Sequence, residues 1–127
     1  MIVGTGIDLV QISRIEQVYE KRGERFASHV LHAAEFAEYE KSLYKGRLLA
    51  KRFAVKEAAT KALGTGQARR VLLRHFYIQH DEHGKPLLMA DGEADRLCKE
   101  LGINSMHVSI ADENEYAIAS VILERSP

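Results

Sequence analysis

A single cysteine, Cys98, excludes an internal disulfide, and its place in the helical pattern Asp91–Leu101 reads as a small packed residue rather than a nucleophile. Neither charge sign prevails: 18 basic residues face 18 acidic ones. No global field therefore draws the chain to nucleic acid or to an anionic membrane, and any electrostatic partner must meet a local patch. There is no apolar run long enough to span a bilayer and no hydrophobic leader behind Met1, which predicts a cytoplasmic protein. Repeats, low-complexity tracts and linkers are also missing. The 127 residues therefore read as one domain, 1–127, with room for a real core but not for a second one.

What is present is organised around Arg47–Gly66, RLLAKRFAVKEAATKALGTG. Ala54, Ala58 and Ala62 recur every fourth residue among Leu48, Val55, Ala59 and Leu63, which predicts a helix with a small-residue stripe packed closely on a neighbour. Gly64 and Gly66 supply the stop. Glu57 and Lys61 stand one turn apart, and Arg52 and Lys56 form a second charged row. The ordinary reading of Glu57 and Lys61 is a surface ion pair. The adjoining Gly64-Thr65-Gly66 turn and an isolated carboxylate, Asp8, point instead to a magnesium–phosphate site, which needs a carboxylate, a lysine and a backbone that phosphate can approach.

Ile2–Val10 reads as a short buried strand whose Gly4 and Gly6 admit another backbone or a ligand. Asp8, its one charge, must be capped, paired or metal-bound. A helix is expected from Gln11–Ser13 to Arg22, stopped by Gly23, with Ile12, Ile15 and Tyr19 on one side. Arg14, Val18, Lys21 and the nearby Arg25 cluster on another, with Phe26 following; this is either a solvated face or a docking surface for an acidic helix. Arg25–Leu31 is expected to continue helically, and Ala33–Leu43 to form a further helix with Phe36, Tyr39 and Leu43 inward. A basic loop at Gln67–Leu73 leads to a hairpin of Arg74–His80 and Leu87–Ala90 around Asp81–Pro86. The Asp91–Leu101 helix closes at Gly102, and a second hairpin pairs Ser105–Asp112 with Glu115–Leu123. His107 and Ser109 share the face opposite Met106, Val108 and Ile110, as ordinary sheet surface or as the lining of a polar cleft. His80 and His83 lack a third ligand of suitable spacing, which argues against zinc.

The glycines before Ile7-Asp8, the stretch Phe53–Gly66, Gly84-Lys85-Pro86 and His107-Val108-Ser109-Ile110-Ala111-Asp112-Glu113 together closely resemble holo-acyl-carrier-protein synthases, the small bacterial type of 4'-phosphopantetheinyl transferase. The resemblance runs over essentially the whole chain. It implies an α+β fold, antiparallel strands packed on a long central helix, in a homotrimer with active sites between adjacent subunits. The activity implied is Mg²⁺-dependent transfer of the phosphopantetheine arm of coenzyme A to a serine of apo acyl carrier protein, in support of fatty acid biosynthesis, with release of adenosine 3',5'-bisphosphate. By position, Asp8 and Glu57 are then the metal ligands and, with Lys61, the catalytic set. Lys61, Gly64, Thr65, Gly66, Pro86, His107 and Ser109 would contact coenzyme A. Arg52 would bind its 3'-phosphate with help from Lys41 or Lys45, both of which fit. Arg14, Val18, Lys21, Arg25 and Phe26 would meet the carrier protein.

The chemistry supports this on its own terms. Mg²⁺ takes oxygen ligands and is held by one or two carboxylates plus substrate phosphates. Attack on a pyrophosphate develops charge that a metal and an adjacent lysine stabilise. Two other readings use the same residues: a Mg²⁺-dependent phosphohydrolase acting on coenzyme A-like pyrophosphates, and a non-catalytic module that docks acidic helices.

Overall fold

The computed structural model describes residues 1–64 and 68–127; the expected phosphate contacts Thr65 and Gly66 lie outside the described residues. A three-stranded antiparallel sheet, ordered β1-β5-β4, is formed by β1 (Ile2–Gln11), β5 (Tyr116–Glu124) and β4 (Ser105–Asp112). One face is covered by α4 (Lys45–Leu63). Helices α1 (Ile12–Arg22), α2 (Glu24–Val30) and α3 (Phe36–Lys41) come between β1 and α4 in the chain, and α5 (Gly92–Glu100) precedes β4. A separate hairpin pairs β2 (Phe76–His80) with β3 (Pro86–Ala90).

The period of two along β1 explains the sheet–helix contact. Gly4, Gly6, Asp8 and Val10 all point at α4. A Cβ on Gly4 would overlap the carbonyl oxygen of Ala62, and one on Gly6 would overlap that of Ala58. The strand's glycines thus meet the backbone of the helix's alanine stripe, and the absence of a Cβ on the strand lets the two backbones come this close. Ala117, Ala119, Val121 and Leu123 of β5 complete the buried face.

The outer face of the sheet carries the alternate residues, among them Ile7, Leu9, Tyr116 and Ile118, all exposed. Register places Ile7 beside Ser120 and Ser120 beside Ser109, so His107 and Ser109 belong to this outer face. The predicted alternation along β4 holds, with Met106, Val108 and Ile110 packed toward the core.

Gly23 ends α1 with φ 52°, a conformation that favours glycine, and Gly102 follows α5 with φ 74°. The turn between β2 and β3 is built by Asp81, whose Oδ1 accepts from the backbone N–H of His83 and of Lys85.

Three expectations need correction. The segment Ala33–Leu43 is not one helix but a 3₁₀ turn, Ala33–Glu35, running into α3. The His32 side chain caps that turn, its Nδ1 accepting from the Ala34 N–H. Ser42 then turns extended (ψ 136°), which carries Leu43 outward to 89% exposure instead of into the core. Arg74 and His75 precede β2 in a second 3₁₀ turn, held by the Leu72 N–H donating to His75 Nδ1. Finally, Ile2–Val10 is not buried throughout: Ile2, Ile7 and Leu9 are exposed.

Candidate active site

Asp8 follows Gly6 on the helix-facing side of β1, so the close approach of strand and helix delivers its carboxylate to the side of α4 that bears Glu57 and Lys61. Lys61 does not pair with Glu57 along the helix. It reaches across to β1, where Nζ donates to Asp8 Oδ1 and to the Ile7 carbonyl, both at 3.0 Å. Glu57 makes no hydrogen bond or ion pair through its carboxylate among the described residues. Its carboxyl is pushed above the usual range, first by burial and then by the negative charge of Asp8, while Lys61 acts the other way. A carboxyl held up by burial and by a neighbouring carboxylate, beside a lysine, favours a cation at that place.

Both acids open onto a groove of about 550 Å³ whose far wall is α1. Arg14, Val18 and Lys21 line it from that helix, Leu9 and Gln11 from β1, and Phe53 from the floor. Of the residues expected at a carrier-protein face, three therefore share a groove with Asp8 and Glu57. Arg25 is exposed, whereas Phe26 is buried, its ring 6.5 Å from that of Phe53, where it holds α2 against α4.

The remaining expected cofactor contacts do not gather there within one chain. His107 and Ser109 lie on the sheet's outer face, where His107 Nε2 is 2.9 Å from Glu124 Oε1. Pro86 begins β3, paired with His80 in the second sheet. Gly64 ends α4 with φ 77°. Arg52 comes five residues before Glu57, about 140° round the helix, and points to the opposite flank.

On that flank is an assembly that the sequence reading missed. Lys56 is fully buried and donates to the Val30 carbonyl at 2.6 Å and to Glu35 Oε1. Glu35 also accepts from the backbone N–H of His32 and of Ile78, both at 3.0 Å. One carboxylate thereby ties α4 to the end of α2 and to β2. Burial lowers the Lys56 ammonium to about 8, partly offset by the Glu35 charge. A signal for this was present: Leu49, Arg52, Lys56, Ala59 and Leu63 fall on a single helical stripe that is otherwise apolar. Arg47 was missed as well; it donates to Asp112 at 2.7 Å and to the Glu113 and Asn114 carbonyls at 3.0 Å, fastening the β4–β5 turn to the start of α4.

No cluster of three or more His, Cys, Asp or Glu suited to a metal occurs among the described residues. The donor set at the groove is two carboxylates, which fits a hard cation such as Mg²⁺ that completes its shell with water and phosphate oxygens.

An α+β protein whose acid pair opens on a partly basic groove, with a lysine on one of the acids, has the donor set that a hard cation and phosphate groups suit. Comparison with known proteins narrows this. The family described as 4'-phosphopantetheinyl transferase superfamily (ACPS) matches residues 4–121. The holo-[acyl-carrier-protein] synthase of Vibrio cholerae is 50% identical over 125 residues, 98% of this chain and 99% of that one. Among solved structures, the Neisseria meningitidis synthase aligns with a TM-score of 0.91 at 37% identity, over 98% of this chain and 100% of that one. The Bacillus anthracis synthase, in complex with CoA (3',5'-ADP), aligns at 0.80 and 34% identity, over 99% of each chain. The chain belongs to the holo-acyl-carrier-protein synthase family of 4'-phosphopantetheinyl transferases. Among the described residues, no helix is long and apolar enough to cross a membrane.

Proposed function

We propose that this chain is a cytoplasmic enzyme that moves the 4'-phosphopantetheine arm of coenzyme A onto a serine of apo acyl carrier protein, releasing adenosine 3',5'-bisphosphate. The observation that carries the reading is the shared groove: Asp8 and Glu57, remote in sequence, open on the same space as Arg14, Val18 and Lys21. Asp8 and Glu57 would hold Mg²⁺, which when bound supplies neutralisation of pyrophosphate charge. The half-exposed Lys61 ammonium, which donates to Asp8 and Ile7, keeps a third N–H for a substrate phosphate and would balance charge as the pyrophosphate bond breaks. The serine proton leaves to a water held by Glu57 or Asp8, since a carboxylate that ligates metal is a poor direct base.

Arg14 and Lys21 give a neutral protein a local attraction for an acidic carrier helix, and Val18 gives it an apolar contact. Arg52 is the contact for the 3'-phosphate, and Gly64, Thr65, Gly66, Pro86, His107 and Ser109 supply further coenzyme A contacts. Because His107 and Ser109 face away from Asp8 and Glu57 in one chain, they serve a site completed by a neighbouring subunit. The exposed apolar outer face, Ile7, Leu9 and Ile118, is the surface on which copies would assemble as a homotrimer.

Intact-mass measurement of apo acyl carrier protein incubated with the protein, coenzyme A and Mg²⁺ tests this. The carrier gains the phosphopantetheine mass only in the complete mixture. Release of pantetheine phosphate from coenzyme A without carrier would point to a hydrolase instead.

A further inference from the structure

Arg52 is 4% exposed, and its guanidinium is divided between two carboxylates. Nε lies 3.4 Å from Glu35 Oε2, and Nη2 donates to both oxygens of Glu38, at 3.0 and 3.1 Å. The two acids are not equivalent. Glu35 is buried and committed to Lys56 and to two backbone N–H groups. Glu38 stands on the short α3 with half its side chain in water, and among the described residues it makes no other hydrogen bond. Turning Glu38 into solvent leaves every bond of Glu35 in place and frees the outer end of a buried cation. Arg52 thus has a fixed inner partner and an exchangeable outer one.

A guanidinium fork binds carboxylate and phosphate oxygens in the same geometry. A phosphate monoester carries more charge than a carboxylate and presents three acceptor oxygens, so it displaces a half-exposed glutamate rather than sharing the cation with it. We propose that Glu38 is a specificity-determining residue: it occupies Arg52 in the ligand-free chain and yields it to the 3'-phosphate of coenzyme A. Its carboxylate thereby sets how strongly the enzyme separates coenzyme A from 3'-dephospho-coenzyme A. This rests on the reading of Arg52 as the 3'-phosphate contact. Neutralising Glu38 removes a competitor for the phosphate-bearing ligand alone, because the dephospho analogue never reaches for Arg52.

The test is calorimetric binding of coenzyme A and of 3'-dephospho-coenzyme A, with Mg²⁺ present, to the wild-type protein, Glu38→Gln and Arg52→Lys. Glu38→Gln is expected to tighten coenzyme A binding about threefold to tenfold, the range for an ion-pair competitor at the edge of a buried cation. Affinity for the dephospho analogue should stay unchanged. A wild-type preference for coenzyme A that Glu38→Gln leaves unaltered overturns the role of Glu38, and so does equal tightening of both ligands. A preference that shrinks in Glu38→Gln also overturns it, because Glu38 would then be orienting Arg52 for the phosphate. If wild type binds the two ligands equally, or Arg52→Lys keeps the full preference, the reading of Arg52 itself fails and the role of Glu38 with it. Since Glu38 is half exposed, the Glu38→Gln arm remains informative even if the buried Arg52→Lys change costs the fold.

Discussion

Gly6→Ala probes the link between packing and the acid pair. The new methyl carbon would overlap the Ala58 carbonyl oxygen and come to 2.9 Å from the Ala58 carbonyl carbon and from the Ala62 amide nitrogen. All three are backbone atoms of α4, so no rotamer change relieves the overlap. Strand and helix must separate by about 1 Å or more to restore ordinary contact. Overpacking of this kind destabilises by about 3 kcal/mol, which lowers the melting temperature by about 10–15 °C in a chain of this size. Asp8 lies two residues further along β1, so the same separation carries it away from Glu57 and Lys61. Displacements of about 1 Å at reacting groups reduce turnover about 100-fold.

The assay is a thermal melt followed by carrier-modification kinetics at a temperature where the variant is folded. Because the clash is with a carbonyl, Ala58→Gly in the second position should not rescue it. Gly6→Ala with wild-type melting and turnover within twofold would refute the backbone-contact argument. Rescue by Ala58→Gly would assign the contact to side chains instead.

Arg14→Ala/Lys21→Ala should raise KM for the carrier protein about tenfold at low salt, flatten its salt dependence and leave coenzyme A affinity alone; unchanged carrier kinetics would remove α1 as the docking wall. Single replacement Lys56→Met leaves the Glu35 carboxylate buried without its main partner and should destabilise by about 3–5 kcal/mol, while the double change Glu35→Gln/Lys56→Met should recover most of that in a denaturant melt. Lys56 also predicts a pH dependence. The folded chain releases its proton near 8 and the unfolded chain near 10.5, so between those values the unfolded state binds more protons and stability rises with pH. Wild type minus the double variant should show that rise, on the order of 2–3 kcal/mol, with a flat difference below pH 7; no rise would mean that the buried pair keeps its proton. Ile7→Asp/Leu9→Asp on the outer sheet face should convert an oligomer to single chains by light scattering, and an unaltered mass would separate that face from assembly.

Much of the fold was legible because its signals are local. Alternating apolar residues marked β4 and β5, the alanine stripe marked α4, and Gly23 and Gly102 marked helix ends. Gly4 and Gly6 were read as making room for another backbone or a ligand, and the α4 backbone fills that room. Asp8 and Glu57 were joined as one site from their chemistry and then from the family resemblance, since nothing local says that β1 lies against α4. The misses share a cause: they depend on contacts between remote segments. Leu43 looked inward by helical period, yet the helix ends at Lys41. Arg52 and Lys56 read only as a second charged row, because nothing local shows that Glu35 and the Val30 carbonyl accept from the Lys56 ammonium or that Arg52 sits between Glu35 and Glu38. His107 and Ser109 were correctly placed on one face of β4, but the register that turns this face away from the acid pair cannot be read from alternation alone.

Everything about the chemistry depends on Asp8 and Glu57 sharing a single hard cation within one chain. Mn²⁺, a spectroscopic stand-in for Mg²⁺, can be titrated by electron paramagnetic resonance into wild type, Asp8→Asn and Glu57→Gln without any turnover. One ion per chain, held at least about tenfold more weakly in each variant, is the expected result. Wild-type affinity in either variant would contradict it.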